Sequence, residues 1–536
     1  MLKYFFVLLF IFSRQILSYK IVVFSPDVSS SQFIWNQRVS ETLSKAGHDV
    51  TMIIMKYYDK TIKKPHLDKS IKTYTIYGNM DYNFNAFEEK LGSSMFEDIS
   101  IFNNKASGIM TKFFDNFVIS CEKFLNNKEF LNFMVNEKFD IAFTHMFEHC
   151  PIGIIHYAKI PTWVWLSSGI LTDHMADDLG APSPSSYVPP LRGDYSDRMD
   201  FMQRVYSFIG HSITSFIYHK FFVTDKETAL FRKYISPDFP DLRDLSKKCP
   251  LAMINSNELY DTPRPTLHKI ISIGGLGMTQ KNVKPLEGIF KEATENDKIK
   301  GIIIFTFGSM ANASYMPYSW KESLMNAFKQ FPDYEVFIRY DTKDIEDIRP
   351  KNVHLVKWLP QIDLLQHPKA KMIFTHGGYN SLQESIFAGV PMICIPLSGD
   401  QHKNSRLAEN HGFGVYLKKS QITENNLVKT IKTIIEDENY SKRIKRMQSM
   451  VMKRPIQSDE LLIKWTQFLG EFKNLDNMIP YGTQLGFIQY YQIDVVTFLI
   501  VLTLIILLII SYIVKKLYLI FINIVFHFYG NKTKED

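Results

Sequence analysis

The chain has 536 residues, 46 % of them hydrophobic and 22 % charged, with four cysteines and a formal charge of +7. That length exceeds one ordinary hydrophobic core, so two domains of similar size are expected, and the composition excludes a disordered chain. The positive charge is spread over many lysines with no dense basic run in the body, which argues against nucleic-acid binding.

The chain opens MLKYFFVLLFIFSRQILSYK, a lysine before a short apolar stretch with Ser18 as a small residue for cleavage. This is a signal-peptide pattern over 1–18, too short to span a bilayer. Lys20–Phe24 (KIVVF) then reads as a buried parallel strand, followed by a loop, SPDVSSS. Val39, Leu43 and Ala46 recur at helical spacing, Gly47 stops that helix, and Val50–Met55 begins a second strand. Such a βαβ opening starts a doubly wound domain. His48, between the stopping glycine and the strand, reads as structural. Asp140–Phe143 and Thr162–Leu166 are further strands between long aromatic-rich insertions, the usual carriers of substrate contacts. Tyr260–Thr266 (YDTPRPT) reads as an interdomain linker.

A second alternation starts at Gly301–Phe307 (GIIIFTF) and continues through Glu335–Ile338, His354–Val356, Met372–Thr375 and Met392–Pro396. Cys394, in PMICIP, reads as a small core residue; Cys121, Cys150, Cys249 and Cys394 show no CxxC spacing, so no metal site is expected. At most one or two disulfides are possible, and the sequence does not pair them. Val495–Val514 is twenty residues without a charge and is expected to cross a membrane, with Lys515 and Lys516 placing the C-terminus in the cytosol. Leu517–Tyr529 is apolar again, either an interfacial segment or part of a longer tilted span. The ending KTKED resembles a retrieval signal of the endoplasmic reticulum. Sequons at Asn312 and Asn439 would then be luminal, and the one at Asn531 cytosolic.

The chemistry concentrates in Met372–Gln401, MIFTHGGYNSLQESIFAGVPMICIPLSGDQ. After a strand, His376-Gly377-Gly378 leads into a helix whose N-terminus suits a diphosphate. Asn380 and Glu384 share one helix face at i and i+4, and a carboxylate there suits a ribose diol. Asp400 and Gln401 close the next strand, where sugar hydroxyls would sit. Upstream, Trp358 and Gln361 in WLPQ offer an indole for a base, and Gly308-Ser309 offers a hydroxyl and an N–H to phosphate.

Jointly, WLPQ, THGG-x-NS-x(2)-E and the final DQ resemble the signature of the UDP-glycosyltransferase family that includes UDP-glucuronosyltransferases, most closely its invertebrate members. IGGL at Ile273–Leu276, FGSM at Phe307–Met310 and YDTPRPTL support it, so the resemblance spans nearly the whole chain. It implies an α/β GT-B fold, two Rossmann-like domains facing a cleft, plus a C-terminal transmembrane helix. It implies an acceptor domain over 19–260, a linker over 261–270, a donor domain over 271–450, a returning helical segment over 451–494, a span over 495–514 and a cytosolic tail over 515–536. The implied reaction is inverting, metal-independent transfer from UDP-glucuronate or UDP-glucose to a small lipophilic acceptor, with no other cofactor. The implied setting is a single-pass type I protein of the endoplasmic reticulum with a luminal catalytic part, homo-oligomeric association being open. By position, Trp358 and Gln361 would hold uracil and ribose, Glu384 the ribose hydroxyls, Ser309, His376 and Gly378 the diphosphate with Asn380 beside it, and Asp400 and Gln401 the sugar.

Two positions depart from the family. Gln32 stands where a catalytic histidine belongs, and His145 where its acidic partner belongs. Glutamine is no base at neutral pH. Three readings stay open: His145 as base, assisted by Glu148 or Asp27; a UDP-sugar or lipophile-binding membrane protein with weakened catalysis; or another group aligned to that loop. His145 and His149 filling a polar wall is the structural alternative. A nicotinamide-dependent oxidoreductase would need GxGxxG after an early strand, and none occurs.

Overall fold

The computed structural model describes residues 18–59, 66–83, 92, 94–97, 104–213, 223–278, 283–308 and 311–532. The apolar stretch of the expected signal peptide and the terminal Lys534 lie outside these residues. Residues up to Ile479 form one compact unit and those from Pro480 a second.

The first unit holds two parallel sheets. Continuous apolar, β-branched runs form their strands because both faces of a parallel sheet are covered. The first sheet comprises β1 (Lys20–Pro26), β2 (Asp49–Lys56), β3 (Lys72–Tyr77), β4 (Ile141–Thr144), β5 (Thr162–Ser167), β6 (Leu251–Ile254) and β7 (Ile270–Ser272). Its order is β3-β2-β1-β4-β5-β6-β7, every pair parallel. The second comprises β8 (Gly301–Thr306), β9 (Tyr334–Arg339), β10 (Val353–Val356), β11 (Ala370–Thr375), β12 (Met392–Cys394) and β13 (Gly414–Tyr416). Its order is β10-β9-β8-β11-β12-β13, again parallel throughout. In both sheets the order reverses beside the first strand. Ligands of doubly wound sheets bind at the carboxyl ends of strands at such a reversal, so β1/β4 and β8/β11 mark the two places to look.

The helices that position the site are α1 (Ser30–Lys45), α2 (Asn104–Asn126), α3 (Cys150–Tyr157), α4 (Phe201–Ser212), α5 (Asp225–Tyr234), α6 (Gln361–Leu365), α7 (Tyr379–Ala388), α8 (Gln401–Asn410) and α9 (Ser458–Phe472). Ser29 caps α1, accepting from the Gln32 N–H, and the helix gives way to Gly47 at φ 94°, a left-handed residue that suits glycine. Val39 and Leu43 of α1 pack with Ile21 and Val23 of β1 and with Leu462 and Leu469 of α9. His48 is buried and structural: its Nδ1 accepts from the Tyr19 N–H at 3.2 Å. Cys121 of α2 is bonded to Cys150 at the start of α3, a pairing that no local pattern signals, whereas Cys249 and Cys394 are free and buried.

The second unit is dominated by α10 (Ile493–Lys532). Ile493–His527 is 35 residues whose most apolar 18-residue stretch has a mean hydropathy of 3.1, long and apolar enough to cross a membrane. The expected span ends at Val514, but the helix runs on through Lys515 and Lys516, because nothing from there to Tyr529 is a glycine or proline that would stop it.

Candidate functional site

The second sheet's reversal point is built around an imidazole. β8 ends at Thr306 and runs into Gly308; β11 ends at Thr375 and runs into His376. A Cβ on Gly308 would lie 2.7 Å from the His376 ring, and one on Gly378 would lie 2.6 Å from its Nε2. Only hydrogen at both positions lets the two loops close around the ring. Gly308 sits at φ 73° as well, a backbone conformation that side chains resist. Burial pulls His376 down to about 4, so at neutral pH it is an uncharged imidazole. Thr306 Oγ1 accepts from the Gly308 N–H at 3.0 Å, and Thr375 Oγ1 from the Gly377 N–H at 3.3 Å. Both strand ends are thus tied to the turns that follow them.

Behind His376, α7 starts at Gly378 and ends at Gly389, whose φ of 70° makes the left-handed stop. Glu384 lies one turn beyond Asn380 on α7; both are half-buried. Gln361, the first residue of α6, donates through Nε2 to Glu384 Oε2 at 2.7 Å and to Ser381 Oγ at 3.2 Å. Burial pushes Glu384 up to about 7, opposed by the charge of Arg38 and by the Gln361 hydrogen bond. Trp358, just upstream, keeps 55 % of its surface exposed, with the Arg339 guanidinium 5.8 Å from the ring. Arg339 also donates to the Gly308 carbonyl at 2.7 Å, linking the indole to the turn beside His376.

At the third edge, Asp400 caps α8 and accepts from Asn404 Nδ2 at 2.8 Å, while Asn404 also donates to the Gly377 carbonyl at 3.0 Å. Burial raises Asp400, opposed by Asn404. Gln401 uses Oε1 to accept from the N–H groups of Leu397 and Ser398 at 2.8 and 3.0 Å. Trp358, Gln361, His376, Gly378, Asn380, Glu384, Asp400 and Gln401 therefore stand on the carboxyl side of one sheet; Ser309 lies outside the described residues. The structure adds Arg339, Asn404 and Arg38. Asn404 was discoverable as the i+4 neighbour of Asp400, and Arg339 as the last residue of the strand beside β8. Arg38, from α1, carried no local signal.

The first sheet's reversal point differs in character. Gln32 sits half-buried in the first turn of α1. His145, directly after β4, is buried, and both ring nitrogens face protein: Nδ1 accepts from the Phe147 N–H at 3.3 Å, and Nε2 lies 3.5 Å from the Tyr57 hydroxyl and 3.6 Å from Glu148. Burial pulls His145 down to about 3. Neither nitrogen offers a lone pair outward in this arrangement, and Asp27, five residues before Gln32, is buried.

Beneath His145 lies a polar cluster of which sequence reasoning named only Glu148 and His149. Tyr57 donates to Glu148, and the Glu148 carboxyl lies near enough for its charge to act on Glu227. Burial pushes Glu148 up to about 8 and raises Glu227 too. Glu227 also accepts from the His149 N–H at 2.9 Å, while His149 Nε2 meets Asp178 at 3.2 Å. Asp178 is held at about 2: burial pushes it up, but His149 and the Arg243 guanidinium outweigh this. Tyr57, Glu227 and Arg243 are far from His145 in sequence, so spacing could not have grouped them. Among the described residues, no three His, Cys, Asp or Glu side chains are arranged to hold a metal ion.

Residues 20–527 match the family model described as UDP-glucoronosyl and UDP-glucosyl transferase. A Caenorhabditis elegans protein, provisionally named UDP-glucuronosyltransferase ugt-48, is 30 % identical over 485 residues, covering 89 % of this chain and 91 % of that one. UDP-glucuronosyltransferase 1A7 of Mus musculus is 29 % identical over 482 residues, covering 89 % and 88 %. Among solved structures, the calicheamicin glycosyltransferase CalG4 superposes with a TM-score of 0.55 at 14 % identity, covering 84 % of this chain and 98 % of that one. The kitacinnamycin glycosyltransferase gives 0.56 at 14 % identity, covering 85 % and 99 %. At that identity the likeness concerns the fold, which is GT-B.

Proposed function

The chain belongs to the UDP-glucoronosyl and UDP-glucosyl transferase family, so its co-substrate is a UDP-sugar, and we propose that it passes glucuronate or glucose to a hydroxyl of a small lipophilic acceptor. The observation that carries this reading is the closure of Gly308 and Gly378 around a neutral His376, beside the Gln361–Glu384 pair, at a parallel sheet's reversal point. In this reading Trp358 stacks uracil and Gln361 and Glu384 hold the ribose. His376, Gly378, Ser309 and the N-terminus of α7 take the diphosphate beside Asn380, and Asp400 and Gln401 hold the sugar. These groups stabilise the departing diphosphate without a metal. The acceptor oxygen attacks the anomeric carbon directly as UDP leaves, inverting that centre. The acceptor half is 19–260, the donor half 271–450, with 261–270 as linker and 451–494 returning to the first half.

The attacking hydroxyl must lose its proton, and at the expected position stands Gln32. This favours a second reading: a protein that binds UDP-sugar or a lipophile with weakened catalysis, since His145, the other candidate base, has both ring nitrogens against protein groups. We place the enzyme in the membrane of the endoplasmic reticulum, with 495–514 as the span, 515–536 in the cytosol and the sheets in the lumen. The Cys121–Cys150 bond and an exposed sequon at Asn439 fit an oxidising, glycosylating compartment. The deciding experiment is product formation by membranes carrying the full chain, given UDP-glucose or UDP-glucuronate with phenolic and steroid acceptors. A glycoside supports the transferase reading; UDP binding without product supports the second.

A further inference from the structure

The IGGL motif of Ile273–Leu276 runs on into Gly277, and this glycine loop lies between α7 and α1. A Cβ on Gly274 would stand 2.8 Å from Gln383 Nε2, and one on Gly275 would run into the Phe387 ring. Those two residues flank Glu384 on α7. At about 100° per residue, Gln383, Phe387 and Glu384 fall in order within one arc of about 100°. On its other side, a Cβ on Gly277 would stand 3.3 Å from Arg38 Cγ and 3.4 Å from its Cδ, so α1 lays the Arg38 stem along the same loop. Gly275 and Gly277 sit at φ 84° and 71°, a backbone that side chains resist. The glycines thus let an arginine of α1 approach the face of α7 that carries Glu384. Burial pulls Arg38 down, and the charges of Glu384 and then Glu41 oppose this. Yet neither carboxyl pairs with it: among the described residues, the half-buried guanidinium makes no hydrogen bond and no ion pair. Five N–H donors stand there without a protein acceptor.

We propose that Arg38 is a donor-binding residue supplied by α1, and that its guanidinium takes the phosphate joined to the ribose of the UDP-sugar. The inference rests on the donor site proposed above, and two arguments carry it. The first is charge. The residues assigned to the donor hold no full positive charge: Trp358, Gln361, Ser309, Gly378, Asn380 and Gln401 are neutral, Glu384 and Asp400 are acids, and His376 is an uncharged imidazole. Both phosphates of the donor are anions, and the N-terminus of α7 answers them with only about half a charge. Arg339 is committed to the Gly308 carbonyl and the Trp358 ring. Arg38 supplies the missing cation. The second argument is reach. In that reading Glu384 holds the 2′ and 3′ hydroxyls, and the anion bonded to the same ribose is the phosphate on its 5′ oxygen. A guanidinium that acts on Glu384 without pairing with it faces this phosphate, not the distal sugar. Its planar fork also matches two phosphate oxygens at once, which an ammonium does not.

The test is calorimetric binding of uridine, UMP, UDP, UDP-glucose and UDP-glucuronate to the full chain in detergent. Wild type is compared with Arg38→Gln, which keeps the stem against Gly277, and with Arg38→Lys, which keeps the charge but not the fork. Thermal unfolding without ligand confirms that each variant is folded. Arg38→Gln should bind UMP and UDP roughly tenfold to a hundredfold more weakly, and uridine within about twofold of wild type. Arg38→Lys should fall between the two. An equal loss for uridine would overturn the proposal, because Arg38 would then serve the ribose through Glu384. A loss confined to UDP-glucuronate would also overturn it, giving Arg38 to the carboxylate of the sugar. Wild type that binds UDP, with an unchanged affinity in Arg38→Gln, would overturn this inference and leave the donor site standing. Wild type that binds no UDP would overturn both.

Discussion

Gln361 donates to Glu384 across 2.7 Å, and the carboxylate it holds sits near the midpoint of its own titration, at about 7. A ribose diol has two hydroxyls to donate, and a charged carboxylate accepts both better than a neutral acid. Because burial raises Glu384, the charged form is complete only above about 7 and is lost below it. UDP affinity, measured by calorimetry, should therefore rise with pH through that value and lose this dependence in Glu384→Gln. Glu384→Ala should weaken UDP binding roughly tenfold to a hundredfold, the range for losing hydrogen bonds to a charged group. A pH-independent wild type would remove Glu384 from the ribose.

Gly308→Ala and Gly378→Ala test the closure around His376. Each new methyl would meet the ring at under 3 Å. Gly308→Ala carries the additional cost of a positive φ, on the order of 1 kcal/mol. Both variants should lose UDP affinity, and Gly308→Ala should also melt at a lower temperature than Gly378→Ala. Unchanged affinity in both would mean the two loops can part without disturbing the donor pocket.

The contrast between what sequence shows and hides follows from range. KIVVF and GIIIFTF read as buried strands because burial on both faces leaves a continuous apolar run, and Gly47 announced its helix end by a local rule. Asn380 and Glu384 were legible as i and i+4. Arg339 touching Gly308 and Arg38 acting on Glu384 depend on which strands and helices become neighbours, which no window of sequence reports. The Tyr57, Glu148 and Glu227 cluster is hidden for the same reason, joining three distant segments. For α4 the periodicity of the apolar residues is plain in sequence, but not the fact that they face outward.

Gln32 and His145 make opposite predictions for turnover. His145 has both nitrogens engaged within the protein, so His145→Ala should keep product formation within about threefold of wild type, a change too small for loss of a general base. Gln32→His places an imidazole in the first turn of α1 and should raise turnover by about tenfold or more, with a new dependence on pH near the usual histidine value. Activity abolished in His145→Ala with UDP affinity intact would show instead that this ring turns outward to serve as the base.

The buried Glu148–Glu227 pair predicts how stability varies with pH. A carboxyl that burial holds at about 8 keeps its proton in the fold but gives it up on unfolding at its ordinary value of 4.5. Its contribution is thus fully present below the ordinary value and is lost progressively as pH rises toward 8. Asp178 acts in the opposite sense, but it is held at about 2, so its stabilising contribution fades only at far lower pH and leaves this window undisturbed. Glu148→Gln removes the titrating group while keeping an oxygen to accept from Tyr57. Relative to Glu148→Gln, the midpoint of thermal unfolding of wild type should therefore fall from about pH 5 to pH 8; the comparison cancels the titrations that both proteins share, such as those of His145 and His376, which burial keeps uncharged in the fold. An identical slope in the two proteins would mean that Glu148 is ionised in the fold, and that the proton of the pair belongs wholly to Glu227.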